Sequence, residues 1–436
     1  MRILFCRVTW MEKYIGREFE EDEMPYTGGK YMSKDNIGGE EWNFLDVDGY
    51  CYGFVDTKFN KGRKNALHIE RIDESFKNLS EINNVLVVWV SKNKYGKQKI
   101  IGWYKNATVY REYQLNPIRY YGFNYDYNIV AKAEDCTLLP IEERTFEVPV
   151  AMNKKVKDFG FGQANVWYAN EKSAKKFIDS VLEYIENYKG KRINKVYTEE
   201  LEDMVEIDET KIDDILDEID SLIYDDKDLK KQEDYLKCLK VCNSVLKIDP
   251  KNERAFLYKL YSLMSLYKIK KAIKECENNL SLFQDIRFEI ENILGVLDFL
   301  NDNIDKAIKN LKNLANEYKR SEIYLNLANI YEYLKDYDKA KIWYEKILEI
   351  DDKNIEAYFR MASLEYEVKG NYKKALHYID KIVEIENQNV HALYIKAWIL
   401  NDLGKKEEAL KIINQALEID SNNTYFEELK KNIEVQ

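Results

Sequence analysis

Five of the seven tryptophans of this 436-residue chain, Trp10, Trp42, Trp89, Trp103 and Trp167, fall within its first 195 residues. Beside them runs a tyrosine-rich stretch in which arginine recurs: Tyr110, Arg111 and Tyr113, then Arg119, Tyr120, Tyr121, Phe123 and Tyr125. Arginine interleaved with aromatic rings is the composition that stacks unpaired bases, at roughly 1–3 kcal/mol per base. An indole pocket can also cage a flipped base or a methylated cation. On that chemistry Trp89, Trp103 and Trp167 are stacking walls, and Tyr104, Asn106, Gln163 and Asn165 read base edges. Arg111 and Arg119 then neutralise phosphate. Gly160 and Gly162 would let the backbone come close to a ligand beside Gln163 and Asn165. The opposing reading is as simple. Aromatic rings are large core residues, and residues 160–168 also read as a turn into a helix capped by Asn170.

Bond-breaking chemistry finds less support. There is no phosphate-binding Gly-rich loop ending in Lys-Ser/Thr, no Gly-x-Ser-x-Gly elbow and no His-Glu-x-x-His pair. With only His68, His377 and His391 in the chain, a His-Asn-His nuclease or a multi-histidine metal site is nearly excluded. Carboxylate-based magnesium chemistry stays open, but the cluster Glu134, Asp135, Glu142 and Glu143 has no lysine paired with it. Cys238 and Cys242, at i and i+4, resemble half a metal site, yet no further ligand is spaced to complete a tetrahedron. They read as core cysteines. The expectation is a non-enzymatic chain with no cofactor and no metal.

The elements that must carry these residues change character along the chain. Residues 85–90, 99–104, 127–132 and 137–139 read as strands, with a turn at 93–96 joining the first two into a hairpin. A helix over about 171–188 offers the stripe Phe177, Val181, Ile185 and Tyr188 to one sheet face. Residues 1–195 are therefore expected to form an α+β domain, a small mixed sheet or barrel with flanking helices. Residues 196–228 are crowded with acids but keep apolar residues at helical spacing, Ile212, Ile215, Ile219 and Leu222 among them. They read as an acidic helical linker or cap.

From 229 to 436 the pattern repeats. Ala340, Ala375 and Ala409 stand 35 and 34 residues apart, each in a near-copy of one phrase. Units fall at about 253–286, 288–321, 321–354, 356–389 and 390–423, with a weaker one at 219–252. In the unit 356–389, Ser363 and Ala375 are the small residues where two helices cross, and Gly370 opens the turn. Leu260 replaces the small residue in 253–286. This pattern resembles the tetratricopeptide repeat (TPR) family, most specifically over 288–423. The resemblance implies an all-α superhelical solenoid with a groove lined by the first helix of each pair. Its groove-facing positions fall on Glu322, Leu325, Asn329 and Glu332, on Ala357, Arg360, Leu364 and Glu367, and on His391, Tyr394, Trp398 and Asn401. Asn329, Arg360, Tyr394, Trp398 and Asn401 are the implied protein contacts.

The head carries a second resemblance. Residues 100–110 and 128–139 are similar in cadence to the strands around the cleft of PUA/EVE-like modules, small barrels that read RNA or modified DNA bases. In bacteria such modules are fused to nucleases or assembly domains in restriction-type defence. Charge fits either use: residues 1–195 hold 31 Lys+Arg against 28 Asp+Glu, and the rest 36 against 50. No apolar run approaches the roughly 20 residues of a membrane helix, and the six scattered cysteines suit a reducing cytoplasm. Two functions follow. One is an adaptor whose head binds DNA or RNA while its repeats recruit a protein. The other is a TPR scaffold for protein partners alone.

Overall fold

The computed structural model describes residues 2–14, 39–57, 66–114, 126–151, 159–194, 200–224, 232–421 and 423–435. They divide into two compact units, up to Gln284 and from Asp285 onward. The first unit opens on a mixed sheet of β1 (Ile3–Val8), β2 (Tyr50–Gly53), β3 (Glu81–Lys92), β4 (Gln98–Gln114), β5 (Tyr127–Lys132), β6 (Cys136–Leu138) and β7 (Val166–Trp167). The order is β2-β5-β4-β3-β1-β7, with β6 also paired to β4. β1 and β3 run parallel and the other pairings are antiparallel. Nothing among the described residues joins β2 to β7, so the sheet is open: of the mixed sheet or barrel expected, the mixed sheet is formed.

Strand β3 reads as an unbroken apolar run because both sheet faces are covered. One face packs Leu4, Cys6, Trp89 and Tyr104 around Phe44. The other packs Phe5, Val88, Trp103 and Trp167 under α1 (Lys175–Asn187), whose Phe177, Val181 and Ile185 form the expected stripe. The hairpin turn is held by Asn93, whose side-chain oxygen accepts the N–H groups of Tyr95 and Lys97, each at 3.0 Å. At the end of β1, the Thr9 N–H donates to the Glu40 carboxyl at 2.7 Å. Loss of solvation, opposed by that bond and reinforced by nearby Asp56, pushes the Glu40 pKa up to about 7.

Four helices complete this unit: α2 (Ile212–Tyr224), α3 (Gln232–Ile248), α4 (Glu253–Ser265) and α5 (Ile269–Asn279). The acid-rich α2 is held by its apolar stripe, Leu216 and Ile219 packing with Cys238, Cys242 and Val245 of α3. The sheet domain grips the α4–α5 turn. Asp46 Oδ2 lies 2.7 Å from Lys268 Nζ, with side-chain exposures of 1% and 5%. Around them the Asp48 N–H donates to Tyr267 O at 3.1 Å, and Lys270 N–H to Asp48 Oδ1 at 3.2 Å. Trp42 meets Tyr267 edge to face. All six cysteines are buried free thiols.

The second unit is a run of antiparallel helices: α6 (Arg287–Leu300), α7 (Ile304–Glu317), α8 (Ser321–Tyr333), α9 (Tyr337–Ile350), α10 (Ile355–Ser363), α11 (Tyr372–Ile385), α12 (Val390–Asp402), α13 (Lys406–Ile419) and α14 (Thr424–Val435). Asparagine caps the starts of α10 and α12: Asn354 accepts the Ala357 N–H and Asn389 the Ala392 N–H, both at 2.9 Å. Buried small residues mark the crossings. They fall, one on each helix of a hairpin, as the pairs Gly295 and Ala307, Ala328 and Ala340, Ala362 and Ala375, and Ala397 and Ala409. At Gly295 an added Cβ would lie 2.6 Å from Leu311.

Three of those pairs are twelve residues apart, and Ala362 to Ala375 is thirteen. The extra residue is absorbed by a π-helical turn, Leu364–Val368, that continues α10. This turn corrects the sequence register. Ala362, not Ser363, is the small residue at the crossing, while Ser363 is exposed. Ala357 and Leu364, expected in the groove, are buried. The turn also carries Glu365 inward, where it pairs with Lys341 at 2.9 Å.

Candidate protein-binding groove

The one-residue shift in α10 presents Phe359, Ser363 and Tyr366 on the face that meets α12. There they line a recess of about 230 Å³ with Ile395, Trp398 and Ile399 of α12, floored by Ala362 and Ile379. The recess is mostly apolar, with Ser363 and Glu367 as its polar lining residues. It is smaller than the roughly 300–1,000 Å³ of pockets that enclose a whole small molecule, and suits one or two side chains. Trp398 is 44% exposed, an unusual setting for an indole. Its ring meets Tyr394 edge-on at 6.0 Å, and Tyr394 stacks on Phe426 of α14 at 5.4 Å. Phe359 is steadied by the His391 ring at 5.1 Å. The Tyr366 hydroxyl donates to the Asp402 carboxylate; burial and that acceptor push its pKa up to about 12.

Beside the recess, Arg360 Nε meets Glu356 at 2.7 Å and a second guanidinium nitrogen lies 3.9 Å from Glu332. Burial raises the Glu332 pKa; Arg360 lowers it, and the charges of Glu356 and Glu367 raise it again. Asn329 is half-buried and accepts the Tyr344 hydroxyl at 3.2 Å. Of the five residues expected to contact protein, Trp398 lines the recess and Arg360 lies exposed at its flank, while Asn329, Tyr394 and Asn401 are half-buried. Phe359, Tyr366 and Ile395 were missed. The signal for Phe359 and Tyr366 was the interval of 35 rather than 34 residues between Ala340 and Ala375; the sequence held none for Ile395.

The residues expected to bind nucleic acid are not brought together. Trp89 and Tyr104 lie in the core on one face of the sheet, Trp103 and Trp167 in the core on the other, all with 5% exposure or less. Trp103 meets Tyr188 edge to face at 5.3 Å, and Trp167 lies against Phe5 at 4.8 Å. None has a ring face open to a base, so as stacking walls they are corrected to packing groups. Arg111 binds Glu70 at 2.7 Å and the carbonyls of Leu79 and Lys77, fastening its own segment. Asn106, at φ +52°, lines a separate cleft of mixed character, with Arg2, Lys105 and Glu186 beside Leu86, Leu182 and Ile185. Asn165 donates to Asp56 O at 3.1 Å, and Gln163 is exposed. Arg119, Tyr120, Tyr121 and Tyr125 lie outside the described residues. Among the described residues no group of three His, Cys, Asp or Glu side chains is placed to hold a metal ion. Among them, too, no helix is long and apolar enough to cross a membrane.

A family model described as "Anaphase-promoting complex, cyclosome, subunit 3" matches residues 333–416, the stretch that holds the recess. Among similar solved structures is YrrB, titled a TPR protein with an unusual peptide-binding site. It is 14% identical, covering 43% of this chain and 95% of its own, with a TM-score of 0.33. Pseudomonas aeruginosa pilF is 18% identical over 51% of this chain and 98% of its own, with a TM-score of 0.37. MamA is 26% identical over 42% and 97%, with a TM-score of 0.30. No curated protein matches the sequence. The C-terminal region is TPR-like; the likeness of the head to PUA/EVE-like modules gains no support from these matches.

Proposed function

We propose that this chain is a protein-interaction scaffold whose TPR-like region seats a segment of a partner protein between α10 and α12. The observation that carries the reading is the recess itself: an apolar hollow of about 230 Å³ with a partly exposed tryptophan on its wall. Exposed aromatic anchors beside a preformed hollow are the usual centres of binding energy in protein interfaces. The TPR-like match over 333–416 supports the same reading. On this reading the chain acts by binding, with no bond broken. Nucleic-acid binding by residues 1–195 is left out of it, because the rings that would stack bases are enclosed.

The test is to pan a displayed random-peptide library against the full chain and against Trp398→Ala. Peptides retained by the full chain and lost by the variant, with thermal melts unchanged, support the groove. A selection indifferent to Trp398 overturns it.

A further inference from the structure

The charges around the recess are unequal. Glu356 and Glu367 are both close enough to act on Glu332, and Arg360 is the cation paired with Glu332 and Glu356. Asp402 stands at the other rim, bonded to the Tyr366 hydroxyl. Neighbouring lysines are engaged elsewhere: Lys396 with Asp380 at 2.7 Å, and Lys341 with the buried Glu365 at 2.9 Å. Glu367 thus lines the hollow itself, Glu332 and Glu356 share one guanidinium beside it, and Asp402 is bonded to a residue of its wall. A carboxylate-bearing ligand would meet repulsion here, and a neutral one would leave the excess unanswered.

Resting on the groove reading above, we propose that the occupant is a cationic protein segment: an apolar or aromatic side chain enters beside Trp398, and a neighbouring lysine or arginine faces Glu367 and Glu332. Glu367 suits the role because it is exposed, lines the recess and has no lysine or arginine partner among the described ion pairs. The raised Glu332 pKa has the same origin, a carboxyl in partial burial among like charges. A cation placed there would relieve that repulsion on binding, and added salt would weaken the attraction.

The experiment uses the Trp398-dependent peptides from the library, synthesised and titrated into the full chain at low and high salt. The expected result is an apolar residue with Lys or Arg within about three positions, the reach of neighbouring side chains on an extended or helical segment. Affinity should fall about fivefold in Glu367→Gln, the upper range for one partly exposed charge pair. In Glu367→Lys the library should shift toward acidic peptides. Trp398-dependent peptides that are neutral or acidic, or that bind Glu367→Lys unchanged, overturn the cationic occupant while leaving the groove intact. A library with no Trp398-dependent peptides overturns both. Circular dichroism of each variant guards against misfolding; Glu367 is exposed, so its replacement should leave the fold unaltered.

Discussion

Asp46 and Lys268, 222 residues apart in sequence, form a 2.7 Å ion pair that water scarcely reaches. The pair fastens the sheet domain to the turn between α4 and α5, where Trp42 also meets Tyr267 edge to face. A buried pair is a weak source of net stability but an expensive thing to break, because the survivor keeps its charge without the opposite charge beside it.

Lys268→Met should therefore lower unfolding free energy by about 3–5 kcal/mol, and Asp46→Asn should also be destabilising. The double replacement Asp46→Leu with Lys268→Met should recover much of the loss, which urea denaturation can measure. Equal loss in the single and double variants would contradict this account. A fragment cut at residue 195 would leave Asp46 without Lys268, and one extending to residue 284 would keep the joint.

Gly295→Ala places a methyl group 2.6 Å from the Leu311 side chain at a helix crossing. Overpacking of this kind costs about 1–3 kcal/mol, and a lower thermal midpoint is expected. Pairing it with Leu311→Ala tests the cause, since room made at the contact should return part of the loss even though that change alone leaves a cavity.

The π turn in α10 offers a different kind of test. Removing the exposed Val368 returns the Ala362–Ala375 interval to the twelve residues of its neighbours. The shortened chain should still melt cooperatively, with the π turn replaced by ordinary α-helix, but the recess should be remodelled and Trp398-dependent peptides released. Titration of such a peptide beside a thermal melt separates the two effects.

Glu40 sets a pH dependence. Its carboxyl keeps its proton up to about pH 7 in the folded chain, against about 4.5 when unfolded. Between those values the folded state holds the extra proton, so stability falls as pH rises through that window and levels off above it. The contribution is on the order of 3 kcal/mol. Denaturation midpoints at pH 5 and pH 7.5 should diverge for the natural chain and converge for Glu40→Gln; Tyr14 and Asp56, which share its surroundings, stay in place in that comparison.

The repeat region was legible because a helical hairpin must place a small residue at each close crossing, and Ala340, Ala375 and Ala409 mark the period directly. The slip by one residue at Ser363 was not, because a π turn leaves no composition signature; only the odd interval betrays it. In the head, the strands 85–90 and 99–104 and the helix near 171–188 were visible. The fate of Trp89 and Trp103 was hidden for a physical reason. Both sheet faces are covered, so the alternation that tells inside from outside is absent, and an indole in a core looks the same in sequence as one in a cleft. The Asp46–Lys268 joint pairs two ordinary charged residues across most of a domain, which no local pattern can announce.

The buried cysteines have a practical consequence. All six thiols lie before residue 285, and burial pushes the pKa values of Cys6, Cys136 and Cys242 upward, away from the reactive thiolate. A thiol-labelling reagent therefore works as a stopwatch for one unit alone. Cys6, Cys51 and Cys136 time the opening of the sheet, Cys238, Cys242 and Cys276 time the helices docked on it, and the TPR-like stretch beyond Asp285 stays silent.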